Sequence, residues 1–344
     1  MPIHRSRPSW EILSGDSADV YFARAERILE REGLDPVVTM EVFTRQEALL
    51  CGIDEAKNLL GHVLADVDEG DAIIEALDDG DEIAPKEVVL RIQARYRAFG
   101  LYETAMLGML AQSTGWATAA REVVRAAAPE PVISFGARHV HPDITDVLDY
   151  AAIVGGCVGA STPAGARLAG LNPTGTMPHA LVLIFGDTVD AALAFDRDLD
   201  PDVPRIVLVD TFKDEAEESL RVAEALGDRL YGIRLDTPSE RGRVTADLVL
   251  EVRARLDLAG HRDVKIVVSG GLTPDRIRYF KESGAPVDSF AVGSYISGAS
   301  PIDFTADLKE IDGRPIAKRG RIPGRTESSR LRPVRLADWQ ETGP

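Results

Sequence analysis

Cysteine is scarce: the 344 residues hold two, Cys51 and Cys157. Two are too few for a disulfide framework or a cysteine zinc knuckle, and they point to a reducing, cytoplasmic setting. Long apolar runs are missing too. None approaches the roughly 20 residues that a membrane helix needs, and the opening MPIHRSRPSW lacks the apolar centre of a signal peptide. Positive charge is in deficit. Lys and Arg number 39 against 56 Asp and Glu, a net charge of −17. Such a field repels nucleic acid, so an anionic substrate would need local cationic pockets. What remains is ordinary for a soluble globular chain, 44% hydrophobic and 28% charged. The length suits two domains, or one large barrel with an attachment.

Residues 1–115 read as mixed α/β. Asp16–Glu32 has helical spacing, with Val20, Ala23 and Ile28 on one side. VVTMEVF (37–43) alternates like a strand, Glu47–Leu60 reads as a helix, and EVVLRIQARYRAFG reads as strand material. Tyr102–Arg125 predicts a long Ala-rich helix linking, to about residue 128, into a second region.

From Pro131 the rhythm changes to short apolar runs with helical patterns between them, the mark of parallel βα units. Five or six such units predict a (β/α) barrel domain over 129–300. Polar residues fall where the runs end: Arg138 after PVISF, Asp187 after ALVLIFG, Asp210 closing RIVLVD and Asp236 closing YGIRLD. Gly270 and Gly271 follow KIVVS, and Gly293 follows DSFAV. α/β enzymes place their chemistry at these strand ends. Thr211–Asp214 and Thr237–Glu240 fit capping boxes, which leaves Asp210 and Asp236 for function, and Thr273-Pro274 opens a further helix. Residues 301–344 form a C-terminal extension expected to pack back on the N-terminal domain. Its 314–335 stretch holds eight Lys or Arg against one Glu.

Two glycine turns one βα unit apart, VSGGLTPDRI and AVGSYISG, suit a phosphate, because glycine lets backbone N–H groups approach an anion. Asp210 and Asp236 could hold ribose hydroxyls or a Mg²⁺ ion carrying phosphates. Strand alternation puts Arg234 on the same side as Asp236, as an ion pair or an anion clamp. His179 stands in GTMPHAL just before an expected strand. His139 and His141 share a strand-like face in RHVH, too few ligands for zinc.

FGARHVHPD, GTMPHAL, LVDTFKDEAEES, GIRLDTPSERG, VSGGL and DSFAVGS, in this order, resemble nicotinate phosphoribosyltransferases of the type II phosphoribosyltransferases, in their compact archaeal and bacterial form. DVYFARAERIL, MEVF and YETAMLGMLAQSTG carry the likeness upstream. The resemblance implies an irregular open (β/α) barrel with an N-terminal α/β domain. It implies transfer of phosphoribosyl from 5-phosphoribosyl-1-pyrophosphate to nicotinate in NAD salvage, with Mg²⁺ and with ATP as co-substrate through a phosphohistidine at His179. Phe135, Arg138 and Thr176 would form the pyridine pocket, and Tyr21 would reach it from a second subunit of a homodimer. Asp210, Arg234 and Asp236 would contact ribose, pyrophosphate and Mg²⁺. Ser269, Gly270, Gly271, Gly293 and Ser294 would cradle the 5′-phosphate. Nicotinamide, quinolinate and non-catalytic nucleotide binding are the alternatives. There are two departures. Val158 stands where relatives carry a polar or acidic residue, and the tail has no cysteine, so no zinc knuckle carries over.

Overall fold

The computed structural model describes residues 8–68 and 70–339. Residues 1–7 of the opening segment considered above for a leader lie outside them, as do the last residues of the C-terminal extension. Two compact units divide the chain, one of residues 1–118 with 299–344, the other of residues 119–298.

The first unit is built on a six-stranded antiparallel sheet. Its order is Arg314–Pro315, Phe304–Ile311, Val37–Thr44, Val88–Arg95, Ile73–Ala76 and Arg332–Pro333. Val37–Thr44 lies inside the sheet and is buried on both faces. Val38, Met40 and Val42 join Leu59 and Leu60 of the Ile53–Val63 helix, with Leu90, Ile92 and Phe99, in one core. On the other face Glu41 is buried, and its charge is fully matched. Arg91 Nε donates to it at 2.9 Å, and the backbone N–H and hydroxyl of Thr326 donate at 2.9 and 2.7 Å. A buried carboxylate needs such partners, so Glu41 ties the basic tail to this sheet. The helix read over Glu47–Leu60 is shorter at its start. Ala48–Leu49 is a strand, and Gly52, in the left-handed region, precedes the helix at Ile53. The upstream helix runs Val20–Glu32, but Val20 and Ile28 of its expected apolar side are exposed, and Phe22 is its buried residue.

The second unit is an open parallel sheet of six strands, ordered Gly159–Ala160, Val132–Ser134, Ser289–Val292, Lys265–Val268, Gly232–Leu235 and Ile206–Leu208. Helices follow the strands, which makes this the curled half-barrel expected from the βα rhythm. The run ALVLIF departs from that expectation. It is not a strand: His179–Phe185 is a helix, entered at Pro178 and closed by left-handed Gly186. A short apolar run cannot by periodicity be told from a helical segment. Here Val182 alone is buried, and Ile184 is 81% exposed. The two outer strands therefore have helices, and no further strand, between them in sequence.

The caps also differ from expectation. Asp214 and Thr245 accept the first N–H groups of their helices, at Ala216 and Glu217 and at Leu248. Thr211 and Thr237 do not cap. Thr273 does, accepting from Arg276 N with Pro274 at the first helical position. Asp187 caps Thr188–Asp198 and pairs with Arg221 at 2.7 Å, a contact that holds its carboxyl below the usual range.

Candidate active site

The parallel register assembles the site. Leu208 pairs with Arg234, so continuing both strands brings Asp210 beside Asp236. Val268 pairs with Leu235, which brings Ser269 beside Asp236 on the other flank. Val292 pairs with Ser134, which sets Gly293 against Phe135. All of these residues leave the sheet at its C-terminal edge.

Arg234 is the hub. Its Nη2 donates to Asp236 Oδ2 at 2.7 Å, its Nε to Ser269 Oγ at 2.9 Å and its Nη1 to Thr176 Oγ1 at 3.0 Å. Ser269 Oγ in turn donates to Asp236 Oδ1 at 2.8 Å. The guanidinium lies 5.1 Å from the centre of the Phe135 ring, within cation–π range. Five residues named from sequence thus form one connected group.

His179 and Asp210 form a second group. His179 Nε2 is 3.0 Å from Asp210 Oδ2. An ionised Asp210 carboxylate only accepts, so Nε2 is the donor of this contact. The Asp210 side chain is 1% exposed and the imidazole 42%. Burial raises the Asp210 carboxyl above its ordinary value. The histidine contact opposes that rise, and the charge of Asp236 adds to it. Asp210 Oδ1 and Thr211 Oγ1 are buried and have no hydrogen-bond partner. A buried orphan acceptor costs free energy unless something binds it. Among the described residues no three His, Cys, Asp or Glu side chains cluster as a metal site.

The glycines earn their places by contact. Gly270 and Gly271 have φ of 90° and 62°, which other residues rarely adopt. A Cβ on Gly270 would sit 3.1 Å from Asp236 Oδ1, and one on Gly293 would sit 2.9 Å from Phe135 O. One on Gly271 would collide with the Arg243 guanidinium.

Three expected residues stay apart from these groups. Arg138 lies in the 3-10 turn Ala137–His139, is exposed, and makes no side-chain hydrogen bond or ion pair among the described residues. Ser294 is exposed at the start of a four-residue helix. Tyr21 belongs to the first unit, is 58% exposed, and donates to Asp19 Oδ2 at 3.2 Å. His139 and His141 share no strand face. His139 Nδ1 is 3.1 Å from Ser297 Oγ, and His141 turns to Asp143. Val158 is exposed.

Sequence reasoning missed Arg243 and Arg276, and it missed the Thr237 hydroxyl donating to buried Glu215 Oε1 at 2.7 Å. That last contact fixes the backbone directly after Asp236. The Gly242-Arg243 step was the available signal for the first.

Comparison with known proteins agrees with this geometry. The family model described as Quinolinate phosphoribosyl transferase, N-terminal domain, matches residues 19–114, and its C-terminal counterpart matches residues 116–307. The crystal structure of nicotinate-nucleotide pyrophosphorylase from Pyrococcus furiosus superposes with a TM-score of 0.85 at 43% identity, over 94% of this chain and 82% of that one. A nicotinate phosphoribosyltransferase of Mycobacterium tuberculosis is 32% identical over 73% of this chain and 55% of its own length. A Methanothermobacter thermautotrophicus protein named probable nicotinate-nucleotide pyrophosphorylase (carboxylating) is 24% identical over 79% and 88%. The chain thus spans about half the length of the mycobacterial relative. Human nicotinic acid phosphoribosyltransferase, at 19% identity and a TM-score of 0.68, shares the fold. With both domain models matched in sequence order across the two units, the chain belongs to the quinolinate phosphoribosyl transferase family of type II phosphoribosyltransferases.

Proposed function

We propose that the chain transfers the phosphoribosyl group of 5-phosphoribosyl-1-pyrophosphate to the ring nitrogen of a pyridine carboxylate, in NAD biosynthesis. The supporting observation is the Arg234–Asp236–Ser269–Thr176 group beneath the Phe135 ring, flanked by the glycine turns. In this reaction the ring nitrogen forms a bond to C1 of the ribose as the bond from C1 to pyrophosphate breaks. The pyridine nitrogen is already nucleophilic, so alignment and electrostatic stabilisation carry the step. Phe135 offers a face for the ring. Asp236, fixed by Arg234 and Ser269, faces the ribose. Mg²⁺ characteristically takes one or two carboxylates plus substrate phosphates. The orphan Oδ1 of Asp210, with Asp236 beside it, fits that donor set. When bound, the ion would neutralise the departing pyrophosphate.

Nicotinate is the acceptor motivated by Arg138, three residues past Phe135 in sequence, exposed and unpaired among the described residues, which offers one guanidinium for one carboxylate. Quinolinate is the second reading, and the name of the matching family and that of the Pyrococcus protein favour it. Its turnover to the same mononucleotide would also release CO₂. Product detection by mass spectrometry, with nicotinate, quinolinate and nicotinamide offered separately, decides among them. Nicotinate should exceed nicotinamide at least about tenfold in kcat/KM, or ~1.4 kcal/mol, modest for a lost charged contact. Faster turnover of quinolinate with CO₂ release would replace the acceptor and keep the transferase. His179, held at Nε2 by Asp210 and part-exposed, is the residue offered for transient phosphorylation, so ATP should stimulate the wild type and leave His179→Ala unstimulated. Tyr21, exposed on its helix, would complete the pyridine pocket from a second copy. Mixing Tyr21→Ala with Asp236→Asn subunits should restore activity above either parent.

A further inference from the structure

Arg243 follows left-handed Gly242 and itself has φ of 66°, one of three non-glycine residues in that region among the described residues. An L-residue there is strained, and the arrangement pins the side chain over the Gly270–Gly271 turn, where the guanidinium fills the space a Gly271 Cβ would need. Arg243 is exposed and makes no side-chain hydrogen bond or ion pair among the described residues.

A second guanidinium lies close by. Arg276 donates from Nη2 to Val244 O at 2.9 Å, while its Nε is buried without a partner. Burial, and then the nearby charge of Arg243, lower the Arg276 pKa. The acids around the pair are committed elsewhere. Asp236 holds Arg234 and Ser269, and Asp275 pairs with Arg278. Exposed Glu240 is held low by its own backbone N–H and by Ser239, and least by Arg243. Two like charges thus crowd one turn in a chain of net charge −17, without a matched counter-charge.

We infer that Arg243, backed by Arg276, is the cationic clamp for a dianionic phosphate monoester seated on the Gly270–Gly271 turn, the 5′-phosphate of both donor and product. This rests on the phosphoribosyl reading and adds to it the residues that grip the phosphate. Glycine supplies backbone N–H groups and close approach, and the arginine supplies charge and a fork geometry that matches phosphate oxygens.

The test uses the full chain and ribose 5-phosphate, a probe that carries the monoester without pyrophosphate or pyridine. Arg243→Gly removes the cation and suits a left-handed position, so its melting temperature should equal or exceed the wild-type value. Calorimetry should show ribose 5-phosphate binding weakened about ten- to hundredfold, with inorganic pyrophosphate binding unchanged. Arg243→Lys should recover part of the loss. In turnover, the variant should raise KM for the donor with kcat within about threefold of wild type at saturation. Unchanged ribose 5-phosphate affinity in a folded Arg243→Gly chain overturns the clamp alone. A wild-type chain that binds no ribose 5-phosphate overturns the phosphoribosyl reading, and the clamp with it.

Discussion

The side chains at the strand ends form two small networks, and each has one member whose removal is informative. Asp236 neutralises Arg234 and accepts from Ser269, so Asp236→Asn keeps the shape and leaves the guanidinium unmatched at the site. The expected result is a loss of about 10²–10³ in kcat/KM for the donor, as for other removed electrostatic contacts. Asp236 lies at the end of its strand, half-buried, so the thermal midpoint should move by no more than a few degrees. A large fall in midpoint with near-normal kinetics would make it a structural residue. Glu103 shows a different kind of residue effect. Burial lifts its carboxyl from 4.5 to about 7, with Asp307 adding to the rise and Lys318 opposing it. A raised pKa in the folded chain means that the fold favours the protonated form. The contribution is complete below the unfolded value and is lost as pH rises through 7. Glu103→Gln should therefore flatten the decline in melting temperature between about pH 5 and pH 8, and an unchanged slope would contradict the assignment. Much at this scale was legible in the sequence. Arg234 and Asp236 are two apart on a strand, which dictates a shared face, and the 2.7 Å ion pair follows. The Thr237–Glu215 bond was not legible, because it joins two βα units whose approach depends on tertiary packing.

At the level of elements, the parallel strands and most helices follow from hydrophobic period and glycine placement. The exception is instructive. LVLIF has the composition of a buried strand, yet Pro178 and Gly186 bracket it as a helix, and its large side chains face outward. The two alternatives predict opposite responses to charge. In the helix, Ile184→Lys should change stability by no more than about 0.5 kcal/mol, since the side chain lies in solvent. In a buried strand the same change would cost several kcal/mol, so chemical denaturation of this variant discriminates directly. The misassigned caps have a related cause. Thr211 and Thr237 stand at the right spacing for a capping box, but Thr211 is followed by loop, and Thr237 by Pro238 and the 3-10 turn Ser239–Arg241, before an α-helix starts. Asp214 and Thr245 then sit where the first free N–H groups appear.

Across the whole molecule, the N-terminal sheet is completed by the C-terminal segment, since Phe304–Ile311 pairs along Val37–Thr44. Alternation in VVTMEVF announces a strand, but nothing local names a partner over 250 residues away, so this pairing had to come from the structure. The basic tail, expected from sequence to pack back on the N-terminal domain, is tied down at Glu41 and Glu310 by Thr326 and Arg325. The central claim concerns what the second unit does with a phosphoribosyl donor, and phosphorus NMR reads it without assuming the acceptor's fate. Purified chain with 5-phosphoribosyl-1-pyrophosphate, Mg²⁺ and nicotinate should convert the donor's diphosphate signals to free pyrophosphate, with one new phosphomonoester signal appearing in step, and Asp236→Asn should do so far more slowly. A donor spectrum that stays unchanged with nicotinate and with quinolinate, with or without ATP, would contradict the account.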